Sequence, residues 1–392
     1  MKILQVIPAF VPAYGYGGAL NVCYQQSIKL IERGHDITVA TTDAYDEKRR
    51  ISDLKEVIDG ITIIRFRNIS NSLAKKYSGY LPMRFFTWAK QNIRNFDVVY
   101  CHDTLTYQNL VISLFCKKYK IPYLIQPHGN LSEASMGSRH KTLKRIILWF
   151  FKKVFKNAHN IVALTRKERE SISRIDPSLY YKTIIIPNGI DPNKINDADK
   201  VDLRTQYGIP ESHTIIGFIG RIQHIKGIDL SLRILSLLKK KLPFTFLIIG
   251  PDEGEKKSLD RLIDNLGLAE NIVFCGAVSG MQKANHIKTC DLFLFTSRSE
   301  GLPMSILEVA GYGIPQVVST NCNTPQVAEY NCGYEFPLDQ TASFVSGIYQ
   351  IATNEALRGE MKRNATRMIQ ECFNMDTISH DLETQLMTTL IK

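Results

Sequence analysis

Short, mostly apolar runs alternate with helix-length amphipathic segments along this chain. The runs Lys2–Ile7, His35–Ala40, Ile61–Phe66, Asp97–Cys101, Ile121–Gln126, Asn160–Leu164 and Thr183–Ile186 read as strands. They are continuous rather than alternating, as expected of strands covered on both faces by helices, which indicates a parallel sheet. The segment from Pro187 to Asp191 is a turn, and a polar stretch without hydrophobic period follows to Lys200. The rhythm then restarts with Thr214–Gly220, Phe244–Gly250, Asn271–Phe274, Asp291–Phe295 and Gln316–Ser319. The pattern predicts an α/β protein of two Rossmann-like domains facing a central cleft, at 1–190 and 191–373, with a closing helix at 374–392. A chain of 392 residues suits that division, because single cores seldom grow beyond about 250–300 residues. In open parallel sheets ligands bind beyond the carboxyl ends of the strands, so the loops there are the first places to look for chemistry.

The most informative loop is SEGLPMSILE at 299–308, between an apolar strand and a helix that ends near Gly311 and Gly313. Pro303 is expected at the first helical position, where its missing N–H costs nothing. Glu300 then precedes the helix and Glu308 lies within it. The helix mouth, with amides at Gly301, Leu302, Met304 and Ser305, favours phosphate through its N–H groups and its dipole. Carboxylates cannot help to hold phosphate, so Glu300 and Glu308 are expected to accept hydrogen bonds from hydroxyls. Phosphate together with a polyol describes a nucleotide sugar. A second loop, GRIQHIKG at 220–227, also joins a strand to a helix. Arg221 there can chelate two phosphate oxygens and Lys226 supplies a mobile point charge, with Gly220 beside them.

These two segments resemble the E-x7-E and GR…KG motifs of family-4 glycosyltransferases, retaining enzymes with the GT-B fold, some of which build bacterial surface or lipid-linked glycans. The resemblance extends over nearly the whole chain and implies roles for particular residues. Arg221 and Lys226 would neutralise the departing diphosphate, Glu300 would bind the sugar hydroxyls and Glu308 the ribose. Gly17 and Gly18, after the first strand, fall in the loop that meets the donor phosphate or the acceptor. His128, in the His-Gly pair after the strand ending at Gln126, would orient the sugar or the incoming hydroxyl. His102 and Asp103, at the end of another strand, are candidates to face the acceptor. The segments 250–254 and 274–276 look like those that border the nucleotide base. Two departures stand out: NTPQVA at 323–328 replaces the usual GGxxE stretch, and the common EGFGLP is shortened to 300–303.

Composition narrows the partners. Residues 1–190 carry 29 Lys and Arg against 14 Asp and Glu, whereas the remainder carries 20 against 24. Only the first half therefore needs an anionic partner. The segment 139–156 places Leu143, Ile146, Ile147, Phe150, Phe151 and Val154 at helical spacing among many cations, which fits either a core helix with a basic outer face or a helix resting on anionic lipid. No apolar run reaches the roughly 18 residues that span a bilayer, and no signal segment is recognisable. The 8 cysteines lack metal-ligand spacing, and the D-x-D of Asp197 and Asp199 lies in the polar linker, so no metal or other cofactor is expected.

The expected protein is a cytoplasmic hexosyltransferase at the inner face of the membrane. Its donor would be a nucleoside diphosphate sugar, with uridine diphosphate favoured over GDP-mannose, and its acceptor a glycan or lipid-linked hydroxyl. A sugar-nucleotide epimerase of the same fold, a non-catalytic binding module and a nucleic-acid-binding protein are the alternatives, although no nucleic-acid reading motif is present.

Overall fold

A computed structural model describes residues 1–72, 74, 79–131, 151–192 and 203–391. The chain divides into two compact units, the first made of Met1–Asn188 and Met375–Lys392, the second of Gly189–Asn374.

The first unit holds an 8-stranded sheet in the order β3-β4-β2-β1-β5-β6-β7-β8. Its strands are β1 (Lys2–Val6), β2 (Asp36–Thr42), β3 (Lys55–Ile58), β4 (Ile61–Phe66), β5 (Val98–His102), β6 (Tyr123–Gln126), β7 (Asn160–Ala163) and β8 (Thr183–Ile185). All pairings are parallel except β3 with β4. From β1 the chain winds outward through β2 and β4, then returns to β5 on the other side. The point of reversal therefore lies between the carboxyl ends of β1 and β5, where open α/β sheets take ligands. One face packs Ile3, Val98, Tyr100 and Leu124 beneath helix α1 (Gly18–Glu32). The other face packs Leu4, Val6, Val99 and Ile125 against Phe115 and Phe155.

The C-terminal helix α2 (Met375–Ile391) belongs to this unit. Ile378, Leu382 and Leu386 join the core under α1, and each such side chain contributes about 1.5–3 kcal/mol by leaving water. Lys29 pairs with Asp376 at 2.9 Å, and Glu383 receives both Arg33 and His35. Of the basic segment at 139–156, residues 139–150 lie outside the described residues. Within the remainder, Phe151, Val154 and Phe155 are buried in the core, while Lys152 and Lys156 reach Asp176 at 3.0 and 2.8 Å. Asp197 and Asp199 also lie outside the described residues. No described helix is long and apolar enough to cross a membrane.

The second unit has a 6-stranded, wholly parallel sheet in the order β11-β10-β9-β12-β13-β14. These strands are β9 (Thr214–Ile219), β10 (Phe244–Ile249), β11 (Ile272–Gly276), β12 (Leu292–Phe295), β13 (Gln316–Ser319) and β14 (Gly333–Phe336). Every residue of β10 is buried, as its unbroken FTFLII run requires of a strand covered on both faces. Here the winding reverses between β9 and β12. The loops leaving those two strands are the ones that carry Arg221, Lys226 and Glu300.

Candidate functional site

The loop after β9 turns sharply at Gly220 (φ 155°), passes Arg221 and Lys226, and enters helix α3 (Ile228–Leu238) through Gly227 at φ 67°. No other residue fits at Gly227, because a Cβ there would sit 2.0 Å from the Thr296 carbonyl oxygen. That close approach lets the loop after β12 lie against it. Arg298 grips Asp229 with two bonds of 2.8 and 2.6 Å, and its amide donates to the Ile225 carbonyl at 2.8 Å. The Thr296 hydroxyl donates to the Gly227 carbonyl at 2.7 Å. The two loops thus form one rigid rim over the reversal point of the sheet.

On that rim Lys226 Nζ donates to Glu300 Oε1 at 2.6 Å, and the Ser297 hydroxyl donates to the same oxygen at 2.8 Å. Glu300 Oε2 has no hydrogen-bond partner among the described residues, and neither have the remaining Lys226 protons. An ammonium carries three donors and a carboxylate about four acceptor positions, so both groups keep capacity for a ligand. The Glu300 backbone is fixed on both sides: its amide donates to the Asn321 carbonyl at 3.0 Å, and its carbonyl accepts from the Asn323 side chain. Arg221 is partly exposed and pairs with Glu253 at 3.4 Å, and Gln223 also donates to Glu253.

Helix α4 (Met304–Gly311) begins one residue later than the sequence suggests. Pro303 has φ −74° and ψ 122°, outside helical geometry, and its carbonyl accepts the Ile306 amide at 3.1 Å. Pro303 is therefore the residue before the helix, and Met304 and Ser305 hold its first turn. Gly301 and Leu302 lie in the connecting loop. Glu308, one turn before the helix ends, pairs with Lys283 at 2.5 Å.

In the first unit, Gly17 (φ 104°) precedes α1 and Gly18 is its first residue. His102, at the end of β5, is completely buried. It lies between Gln5 and His128 rather than at an open surface, so the structure does not offer its side chain to an acceptor. Asp103 follows at φ 69° and accepts from Thr104 N at 2.7 Å and Asn130 Nδ2 at 2.5 Å, while burial pushes its carboxyl above the usual range. His128 is half-buried at φ 55°, and desolvation lowers its pKa to about 3. The following turn is held by Glu168, whose carboxylate accepts the Gly129 amide at 2.6 Å and the Leu164 amide at 2.7 Å. Among the described residues, no cluster of His, Cys, Asp or Glu is arranged to hold a metal.

Several residues that build the site carry no motif of their own. Ser297, Asn323, Glu253, Lys283 and Glu168 act through one or two contacts each, most of them to partners distant in sequence. Only Glu253 lay inside a segment already marked by its glycines.

Comparison with known proteins agrees with this architecture. The family model "Glycosyltransferase Family 4" matches residues 16–194, and "Glycosyl transferases group 1" matches 199–368. An uncharacterized glycosyltransferase of Methanocaldococcus jannaschii is 23% identical, with 97% of this chain and 96% of the relative covered. A D-inositol 3-phosphate glycosyltransferase of Stackebrandtia nassauensis is also 23% identical, over 93% of this chain and 86% of the relative. The crystal structure of Anabaena HepE in complex with UDP and glucose superposes with a TM-score of 0.76 at 20% identity, covering 99% of this chain and all of that one (100%). The chain belongs to glycosyltransferase family 4 and is a transferase with the GT-B fold.

Proposed function

We propose that the protein moves a sugar from a uridine diphosphate sugar to a hydroxyl of a glycan or lipid-linked acceptor, with retention at the anomeric carbon. The observation that carries this reading is the Lys226–Glu300 pair at the reversal point of the second sheet. A cation and a carboxylate side by side, each with unused hydrogen-bonding capacity, match a ligand that presents phosphate oxygens next to hydroxyls. Lys226 and Arg221 oppose the charge that builds on the departing diphosphate. Such stabilisation counts most in the transition state and so accelerates the chemical step. The amides of Met304 and Ser305 add donors at the helix mouth. Glu300 accepts from the sugar hydroxyls, Glu308 from the ribose, and His128 orients the sugar or the attacking hydroxyl. Attack from the face that the diphosphate leaves accounts for retention without a covalent intermediate.

The HepE structure, which contains UDP and glucose, supports uridine over guanosine as the base. The basic balance of residues 1–190 supports an acceptor held at an anionic membrane surface. A thermal-shift series with UDP-glucose, other UDP-sugars and GDP-mannose tests the donor, since a ligand bound only by the native state raises its melting temperature. Stabilisation by UDP-sugars that Lys226→Ala abolishes is the expected result. No response to any nucleotide sugar would overturn the reading.

A further inference from the structure

One polar side chain interrupts the apolar run of β1. Gln5 is completely buried beneath α1, on the sheet face that also carries Ile3 and Tyr100. Its Nε2 donates to Ser27 Oγ at 3.0 Å, and its Oε1 accepts from the Cys23 thiol at 2.9 Å. The same oxygen lies 2.8 Å from His102 Nε2, and His102 Nδ1 lies 3.0 Å from His128 Nε2. At the far end, the Ser27 hydroxyl donates to the Cys23 backbone carbonyl at 2.7 Å.

We propose that this buried chain fixes the tautomer of His128, with the proton on Nε2 and a lone pair on Nδ1, and that Gln5 and His102 are its positioning residues. The direction of the chain follows from its end. A backbone carbonyl can only accept, so the Ser27 hydrogen is committed to Cys23 and the Ser27 oxygen receives Gln5 N–H. The amide is then oriented, and its carbonyl faces Cys23 and His102. Burial holds the Cys23 thiol in its protonated form, which supplies the second donor to that carbonyl. His102 must donate from Nε2, so its Nδ1 accepts, and the hydrogen between the rings comes from His128 Nε2. Turning the Gln5 amide over would set its carbonyl against the Ser27 oxygen, whose hydrogen is already engaged with Cys23, and would leave the Cys23 thiol without its acceptor. In a fully buried position no water can repair those mismatches.

The arrangement also keeps His102 neutral. A second proton on His102 would place N–H against N–H across the 3.0 Å contact. Desolvation works in the same direction, lowering both histidines far below their ordinary value. Among the described residues, His128 Nδ1 has no hydrogen-bond partner. On the reading that His128 serves the sugar or the incoming hydroxyl, this nitrogen takes a hydrogen from a substrate hydroxyl. It is unsuited to bonding a phosphate oxygen or delivering a proton. The relay thus selects a polyol contact over a phosphate one at this ring.

The test is 15N NMR of the full chain labelled at histidine, at about pH 7 and without donor or acceptor, with the His128 signals assigned by their loss in His128→Gln. Protonated Nε2 and unprotonated Nδ1 are expected in the wild type. In Gln5→Leu, or in His102→Asn should that variant fold better, His128 should show both tautomers in comparable amounts. A wild-type Nδ1–H tautomer, or a His128 spectrum unchanged in both variants, would overturn the proposal. Because no substrate is present, this outcome is independent of whether the protein transfers sugar. An intact Nε2–H tautomer in a protein that binds no nucleotide sugar would sink the functional reading while supporting the relay.

Discussion

Lys226 Nζ and Glu300 Oε1 lie 2.6 Å apart, joining the loops that leave β9 and β12 on either side of the point where the sheet reverses. Each side chain is mostly covered, with 16% and 13% of its surface accessible, so the pair is neither a screened surface bridge nor a sealed core pair. Its geometry holds an ammonium ready for phosphate and a carboxylate ready for hydroxyls. Lys226→Ala should cut transfer by about 100-fold or more, the scale at which single electrostatic stabilisers act. Glu300 would keep only Ser297 as a side-chain donor, which should cost about 1–3 kcal/mol of stability. Transfer assays and thermal unfolding check both; near-normal turnover in a folded variant would exclude Lys226 from the donor site.

Glu308 tests the ribose assignment separately from the phosphate grip. Its carboxylate is engaged by Lys283 at 2.5 Å. Glu308→Ala should weaken UDP binding by about 10- to 100-fold, the worth of a charge-assisted hydrogen bond of 1.5–3 kcal/mol. Inorganic pyrophosphate has no ribose, so its affinity should be unchanged or slightly improved. Calorimetric titration of both ligands reads the difference. An equal loss for both would mean that Glu308 shapes the helix and touches no hydroxyl.

The sequence made the parallel strands legible because buried strands are predominantly apolar, and β10 is the clearest case. Two strands escaped. β3 (KEVI) is an antiparallel edge with charged, exposed positions, and β14 (GYEF) is only partly covered beyond its first residue. Neither has the apolar run that marks an interior strand. At the candidate site, the placement of Arg221, Lys226 and Glu300 on adjoining loops was readable because those loops leave strand ends. Burial of His102 was not readable, since its fate depends on Gln5, 97 residues earlier. Position alone placed it at a strand's open end, whereas its imidazole is completely buried between Gln5 and His128. The start of α4 was misjudged by one residue because Pro303 is equally compatible with the extended geometry before a helix.

Gly227 is the residue on which the rim depends. Its φ of 67° is costly for side chains, and an added Cβ would meet a backbone oxygen at 2.0 Å rather than a side chain able to turn away. Gly227→Ala should therefore force the β9 and β12 loops apart, with a loss of about 3 kcal/mol or more. Donor-induced thermal stabilisation should vanish along with it. Gly254→Ala is the matched control, because its φ of 101° is also positive but nothing lies within 4 Å of its added Cβ. Comparing the two melting temperatures separates the clash from the backbone strain; equal losses would show that the close approach to Thr296 has no energetic weight.

Acid should destabilise the first unit through its buried histidines. His128 falls from an ordinary value of 6.5 to about 3 because desolvation penalises its charged form, and His102 is also lowered, by its complete burial and by its neighbour. Above pH 6.5 both rings are neutral whether the chain is folded or not, and they add no pH dependence. As pH falls from 6.5 towards 3 the unfolded chain takes up protons that the folded chain refuses, so stability is lost across that window. Asp103 and Glu168 act with the opposite sign: burial raises both, so the folded chain holds their protons to higher pH and gains stability on acidification. A bare pH profile of the wild type would therefore mix the two effects. His128→Asn removes one histidine from the balance and leaves both carboxylates. Denaturant unfolding followed from about pH 7 to pH 4 should show a shallower loss in the variant than in the wild type. A steeper loss would mean that His128 is charged in the folded protein, against the desolvation that holds its pKa down.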